Sequence, residues 1–373
     1  MSKNFKICFI SRQAYPYLSK ENHYSAGGSE LQETLLTKEL LKRENKVSFI
    51  VGDYGQDGYT VIDDLEIYKG FFSYNKGLIS KFLEPIYFWR LLSKINADVY
   101  YRRTPHDLTF IIGLFCKLKR KKFIFAAGSD THFQKEGLSN MGLVSRINYR
   151  LSSKLSHIFI VQNSFQKEKA KELFGKEAVV IKNLMDIPKE ISSKKDNPLV
   201  LFVGSILEYK QPEIFIELAN TIKDTKFYII GPCNEKGYYN SLKEKASGIQ
   251  NLTFCDFLLR EKILELYKKD IILVNASKFE GFPNTFLEAW SYGNPVVSLN
   301  VDPDEVICKY KLGYHSKSYS KMIEDLTKII ENKNLRKEFG LNGRKYVKDN
   351  HSIEKIVDEF EELIQNSFKE PNK

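Results

Sequence analysis

Lys278-Phe279-Glu280-Gly281-Phe282-Pro283-Asn284-Thr285-Phe286-Leu287-Glu288-Ala289-Trp290-Ser291-Tyr292-Gly293 sets two glutamates around a Gly/Pro turn and runs on into an apolar, small-residue segment. Pro283 breaks whatever precedes it, and Thr285-x-x-Glu288 has capping-box spacing, which predicts a helix starting here. The first N–H groups of such a helix lack intrahelical partners and its dipole is positive at that end, which suits a phosphate. Carboxylates on either side can accept hydrogen bonds from sugar hydroxyls. Phosphate donors beside hydroxyl acceptors describe a nucleotide-sugar site. Singly, Glu288 reads as a capping partner and Glu280 as a solvated loop charge; the whole string, continuing into Gly293-Asn294-Pro295-Val296, is more specific.

Upstream, Leu199-Val200-Leu201-Phe202-Val203-Gly204-Ser205 followed by Lys210-Gln211-Pro212 reads as buried strand, tight loop and a helix with proline in its first turn. A lysine in such a loop can place a point charge on a diphosphate; its ordinary reading is a solvated loop lysine. In the N-terminal half, Gly27 and Gly28 precede Ser29-x-x-Gln32, a second capping-box spacing. Glycines let backbone approach a ligand closely, but this is no G-x-G-x-x-G, so a dinucleotide site is poorly supported. Asp130 and His132 follow the strand at Phe123, where either could orient a hydroxyl or an Asx turn could close the loop. Arg102 and Arg103 end another strand, and neighbours in a strand point to opposite faces, so at most one should face a ligand.

The Glu280 to Glu288 string resembles the E-x7-E signature of retaining glycosyltransferases of family 4, in the broader group 1. The resemblance covers nearly the whole chain, its specific part being Gly204 to Pro295. It implies the α/β GT-B fold, two Rossmann-like doubly wound domains facing across a cleft. It also implies transfer of a hexosyl-type group from a nucleoside-diphosphate sugar to a hydroxyl. Glu280 would lie against the donor sugar and Glu288 would hold the ribose. The turn Gly281-Phe282-Pro283-Asn284-Thr285 would line the donor, and Lys210 would grip the diphosphate after Gly204. Ser205 stands where the family carries arginine, leaving a hydroxyl in place of a bidentate clamp, so another cation must help or the diphosphate is held less tightly. Gly27 and Gly28 match a pair that closes on the donor phosphates, and Asp130 and His132 match polar positions near the donor sugar or acceptor hydroxyl. A front-face mechanism is implied, with no covalent nucleophile and no metal or other cofactor. Asp302-Pro303-Asp304 superficially matches a metal-binding Asp-x-Asp, but the proline favours a turn, and the match is discounted.

Apolar runs alternate with helical-period segments throughout, the pattern of parallel sheets wound with helices. Strands are expected at 5–10, 46–51, 99–101, 123–126, 158–161 and 179–181, with helices at 30–43, 106–118, 140–154 and 164–174. A second series has strands at 199–203, 227–230, 252–254, 271–274 and 296–299, then helices at 318–331, 334–348 and 352–367. The polar segment 186–198, with two prolines, reads as a linker. Expected domains are 1–190 and 197–350, the resemblance implying that the helix at about 352–367 returns to the first. A chain of 373 residues suits two cores.

Net charge is +10, which can attract phosphorylated substrates, anionic lipid or nucleic acid without choosing among them. Phe82 to Leu92 and Phe110 to Lys122 place bulky apolar groups beside cations, as on an anionic membrane surface. For the second, a core helix with a basic end is the alternative. No recognition helix or stacking platform argues for nucleic acid. No apolar run reaches the ~18 residues that span a bilayer, and no signal peptide is visible, so a cytoplasmic protein is expected, possible contact with the inner membrane face included. Five scattered cysteines form no C-x-x-C and read as small buried hydrophobes. Expected partners are a nucleotide-sugar donor and a carbohydrate or lipid-linked acceptor, as in surface polysaccharide or glycolipid synthesis. The alternatives are a GT-B sugar-nucleotide epimerase, a phosphorylase and a non-catalytic sugar-nucleotide binder.

Overall fold

The computed structural model describes residues 4–19, 27–71, 78–105, 108–134, 142–193 and 195–369; Ala26 and the first residues of the helices expected at 106–118 and 140–154 lie outside them, as do the side chains of residues 78–82, Phe82 among them. The chain divides into two compact units, Met1–Leu184 with Ile353–Lys373, and Met185–Ser352.

The first unit is built on one sheet of eight strands, ordered β3-β4-β2-β1-β5-β6-β7-β8. These are β1 (Lys6–Ile10), β2 (Lys46–Val51), β3 (Tyr59–Ile62), β4 (Leu65–Lys69), β5 (Val99–Arg103), β6 (Lys122–Ala126), β7 (Ile158–Val161) and β8 (Val179–Val180). Every pairing is parallel except β3 with β4. The helices are α1 (Tyr15–Ser19), α2 (Gly28–Lys42), α3 (Leu78–Ile95), α4 (Thr109–Lys119), α5 (Leu143–Leu155) and α6 (Ser164–Phe174). Central strands read as unbroken apolar runs because both faces are covered: in β1, Ile7 and Phe9 enter one core while Cys8 and Ile10 enter the other. Each such side chain contributes roughly 1.5–3 kcal/mol when fully buried.

The last helix, α14 (Ile353–Lys369), belongs to this unit. Ile356, Val357, Phe360 and Ile364 recur at helical spacing and join the Ile7/Phe9 core. Arg43 Nη1 bonds Glu361 Oε2 at 3.0 Å, and Phe368 stacks on Phe5 at 5.4 Å.

The second unit holds six parallel strands ordered β11-β10-β9-β12-β13-β14. They are β9 (Leu199–Val203), β10 (Lys226–Ile230), β11 (Leu252–Cys255), β12 (Ile271–Asn275), β13 (Val296–Ser298) and β14 (Gly313–His315). Between and after them lie α7 (Pro212–Thr221), α8 (Lys236–Ala246), α9 (Arg260–Tyr267), α10 (Asn284–Ser291), α11 (Val306–Tyr310), α12 (Tyr319–Glu331) and α13 (Lys333–His351). Helices α10 and α13 touch through glycine: a Cβ on Gly340 would fall 1.9 Å from the Gly293 carbonyl oxygen, and one on Gly343 would meet the fully buried Trp290 at 2.7 Å.

Three expectations need correction. Segment 186–198 is irregular, but it is strapped to the second unit. Ser192 N donates to Tyr292 O at 2.8 Å, Lys195 N to Asp270 Oδ2 at 2.8 Å, and Arg344 Nη2 to Pro188 O. Of the cysteines only Cys8 and Cys116 are buried; Cys308 is exposed, and Cys233 and Cys255 lie between. Neither capping box forms. Helix α10 starts at Asn284 after Pro283 and α2 at Gly28 after Gly27; neither preceding residue has a capping side chain, and Thr285 and Ser29 fall inside the helices.

Candidate donor site

Strand β9 is followed by Gly204, whose φ of +146° only glycine adopts readily. Gly231 packs against its carbonyl, where any Cβ would clash at 1.9 Å. This tight floor lets the next loop fold over it. Glu208–Lys210 form a 3-10 turn, Gln211 takes a left-handed conformation, and Pro212 starts α7. Lys210 Nζ is thereby laid 3.1 Å from where a Gly204 Cβ would stand.

The loop after β12 meets it. Lys278 N donates to Tyr209 O at 2.8 Å, and Phe279 stacks on Tyr209 with ring centres 5.2 Å apart. Held so, Glu280 Oε1 lies 3.3 Å from Lys210 Nζ and accepts from Ser277 Oγ at 3.0 Å. Both side chains are mostly buried. Burial opposes the ammonium of Lys210, but the Glu280 carboxylate, with Tyr209, outweighs it and holds its pKa above the ordinary lysine value. A charged, preorganised cation over a glycine floor, with a carboxylate at its side, can receive a diphosphate and orient a hydroxyl-rich group.

Gly281, Phe282 and Pro283 are buried, and the Phe282 ring packs inward on His351 at 4.9 Å and Trp290 at 6.5 Å, so its side chain is a core group. Asn284 and Thr285 are half-buried, and Ser205 is exposed. Glu288 is buried on α10, with Arg260 Nη1 at 2.5 Å from its Oε1. Arg260 escapes sequence reading, since nothing in its local context distinguishes it from a surface helix residue.

In the first unit, Gly27 and Gly28 open α2, but Gln32 turns inward to clamp Leu184, accepting its N–H at 2.7 Å and donating to its carbonyl at 3.0 Å. Asp130 Oδ1 accepts from Gln166 at 2.7 Å and Asn163 at 3.1 Å, while Ser129, not Asp130, closes the turn by accepting from Thr131 N. His132 sits against Tyr149 with ring centres 5.5 Å apart; burial lowers its pKa to about 4, and its Nδ1 has no hydrogen-bond partner among the described residues. Arg102 bonds the Ile10 carbonyl at 2.7 Å and Arg103 bonds Asn183 at 2.9 Å. Glu33 on α2 is also missed by sequence: burial first, and Glu30 second, push its pKa up to about 8.

Asp302, from the discounted Asp-x-Asp, lies just before α11. Cys308 and His315 do approach it, and the three could supply ligand atoms within 4.8 Å of one another. Its carboxylate accepts from Ile307 N at 2.7 Å and Cys308 N at 3.4 Å, which makes it the cap of α11.

Two α/β units, each wound on a largely parallel sheet, are the architecture of the GT-B fold. Residues 185–346, most of the second unit, match the family described as glycosyl transferases group 1. The chain is 26% identical over 339 residues to the N,N'-diacetylbacillosaminyl-diphospho-undecaprenol alpha-1,3-N-acetylgalactosaminyltransferase of Campylobacter jejuni, spanning 83% of this chain and 88% of that one. An uncharacterized glycosyltransferase of Methanocaldococcus jannaschii is 25% identical, with 75% and 79% covered. Sucrose-phosphate synthase from Thermosynechococcus elongatus shares the fold with a TM-score of 0.82 at 14% identity, over 98% of this chain and 100% of that one. Anabaena HepE in complex with UDP and glucose does so with a TM-score of 0.72 at 15% identity, over 97% and 100%. No helix among the described residues is long and apolar enough to cross a membrane.

Proposed function

We propose that the chain is a retaining glycosyltransferase of family 4. It moves a hexosyl-type sugar from a nucleoside-diphosphate sugar to a hydroxyl of a carbohydrate or lipid-linked acceptor, in surface polysaccharide or glycolipid synthesis. The observation that carries this is the Lys210–Glu280 pair held over Gly204. The name of the Campylobacter relative, with its undecaprenol-linked substrate, supports a lipid-linked acceptor, and the HepE complex supports a nucleotide donor.

In this reading negative charge grows on the departing diphosphate, and Lys210 stabilises it where water is partly excluded. Glu280 orients the sugar hydroxyls and Glu288 the ribose, with Arg260 fixing the Glu288 carboxylate. The α10 start adds backbone dipole from Asn284 and Thr285. The departing phosphate takes the acceptor proton on the same face, so no residue serves as covalent nucleophile. Charge is met by lysine and helix dipole without a metal. In the first unit, His132 is assigned to position an acceptor hydroxyl, and the helix start at Gly27 and Gly28 to meet an anionic group, while Asp130 positions the loop through Asn163 and Gln166. The protein acts on the cytoplasmic side, against the membrane that holds a lipid-linked acceptor. Transfer assays with labelled UDP-, GDP- and ADP-sugars, with NMR of the product's anomeric linkage, test the reading: an inverted product or no transfer from any donor would refute it.

A further inference from the structure

Helix α5 (Leu143–Leu155) is amphipathic on both sides. Tyr149, Ser152 and Ser153 are buried against the unit, as expected of a surface helix. On the opposite side Leu143 is 70% exposed, Val144 70%, Ile147 51% and Leu151 38%. Spacings of one, four and eight residues put these four on a single face. Isolated exposed apolar residues need no explanation, but a contiguous row marks an interaction surface.

The charges on that face have one sign. Arg146, Arg150 and Lys154 are exposed, and α5 contains no Asp or Glu. At 100° per residue, Lys154 falls within the arc spanned by the apolar row, and Arg150 lies about 20° beyond its Leu143 edge. The neighbouring α4 packs on α5 and likewise carries no acid; its end exposes Leu118 beside Lys117 and Lys119. Apolar groups interleaved with long cationic side chains suit a surface that is oily beneath and anionic above, since Arg and Lys stems can lie along apolar ground while their heads reach phosphates. A second copy of the chain fits poorly. A twofold pairing of this face would bring basic residues of one copy near basic residues of the other, with no carboxylate on the helix to neutralise them.

We propose that the outer face of α5 is the docking surface of this protein for an anionic lipid bilayer, with Leu143, Val144, Ile147 and Leu151 entering the headgroup boundary and Arg150 and Lys154 binding lipid phosphates. This deepens the lipid-linked acceptor reading above, but its test does not depend on transfer. Full-length protein is sedimented with vesicles of phosphatidylcholine alone, or of phosphatidylcholine with about a third phosphatidylglycerol. Expected is partition into the anionic vesicles only, weakened by high salt and reduced at least about tenfold in both Leu143→Ser/Val144→Ser/Ile147→Ser and Arg150→Glu/Lys154→Glu, with melting temperature and transfer to a soluble acceptor unchanged. The proposal is overturned if wild type ignores anionic vesicles, if both variants bind like wild type, or if wild type is a dimer in solution that the apolar variant splits. Anionic-vesicle binding lost in the variants, in a protein that transfers from no nucleotide sugar, would uphold this surface while refuting the donor reading.

Discussion

Lys210 Nζ lies 3.3 Å from Glu280 Oε1, although the two come from loops after different strands, and Gly204 provides the space in which they meet. The pair is local to the second unit. Removing Lys210 should reduce kcat/KM by about 10²–10³, the usual effect of losing one preorganised donor to developing charge. Glu280→Ala should be comparably inactive. Each should lose at most about 1–3 kcal/mol of stability, since 19% and 18% of the two side chains still reach solvent. Near-wild-type transfer in both would remove their assigned roles.

Arg260 should act through Glu288. Arg260→Met leaves a buried carboxylate without its cation, so the ribose-binding group loses its fixed orientation. The expected signature is a donor KM raised about tenfold or more with a smaller change in kcat. An unchanged KM would mean that the pair is structural.

Packing between α10 and α13 allows only glycine at two points. Gly340→Ala should lower stability by about 1–3 kcal/mol through overpacking against Gly293, measured by thermal unfolding. Because α10 carries Glu288, donor affinity should fall in parallel.

Much of this architecture is legible in sequence. The strands at 46–51, 158–161 and 199–203 coincide with apolar runs because both sheet faces are covered. The hairpin of Tyr59–Ile62 and Leu65–Lys69 is not legible: its turn uses Asp63 and Asp64 at φ of 48° and 65°, where Asn-Gly or Asp-Gly is the recognisable signal. Strand β14 is only three residues long, too short for a period. Lys210, Glu280 and Glu288 could be found because they lie at fixed spacing from glycine and proline punctuation. Arg260 and Glu33 could not, since their meaning comes from partners distant in the chain. The two capping-box spacings mislead because the helices begin ahead of Thr285 and Ser29, at Asn284 and Gly28, which leaves Glu288 and Gln32 to pair with Arg260 and Leu184.

Glu33 should give the fold a pH dependence. Its pKa rises from 4.5 to about 8, burial being the main cause, so the native state holds a proton that the unfolded chain releases. Stability is therefore full below the unfolded value and is lost as pH climbs toward 8, by an amount on the order of a few kcal/mol. Glu33→Gln should melt higher than wild type at pH 8.5 and converge with it near pH 5. Parallel pH profiles would show that Glu33 is not the group responsible.

Asp302→Ala should spare transfer and cost roughly 1 kcal/mol, because this carboxylate caps α11. Transfer should likewise persist in excess EDTA; its abolition, restored by a divalent ion, would contradict the metal-free reading.

The central claim is most directly tested by calorimetric titration of the nucleoside diphosphate, and of its sugar, chosen from UDP, GDP and ADP by thermal shift. Lys210→Ala should weaken both ligands at least about tenfold, whereas Glu280→Ala should weaken the sugar nucleotide and leave the bare diphosphate unchanged. If both variants bind both ligands as wild type does, Lys210 and Glu280 do not form the donor site.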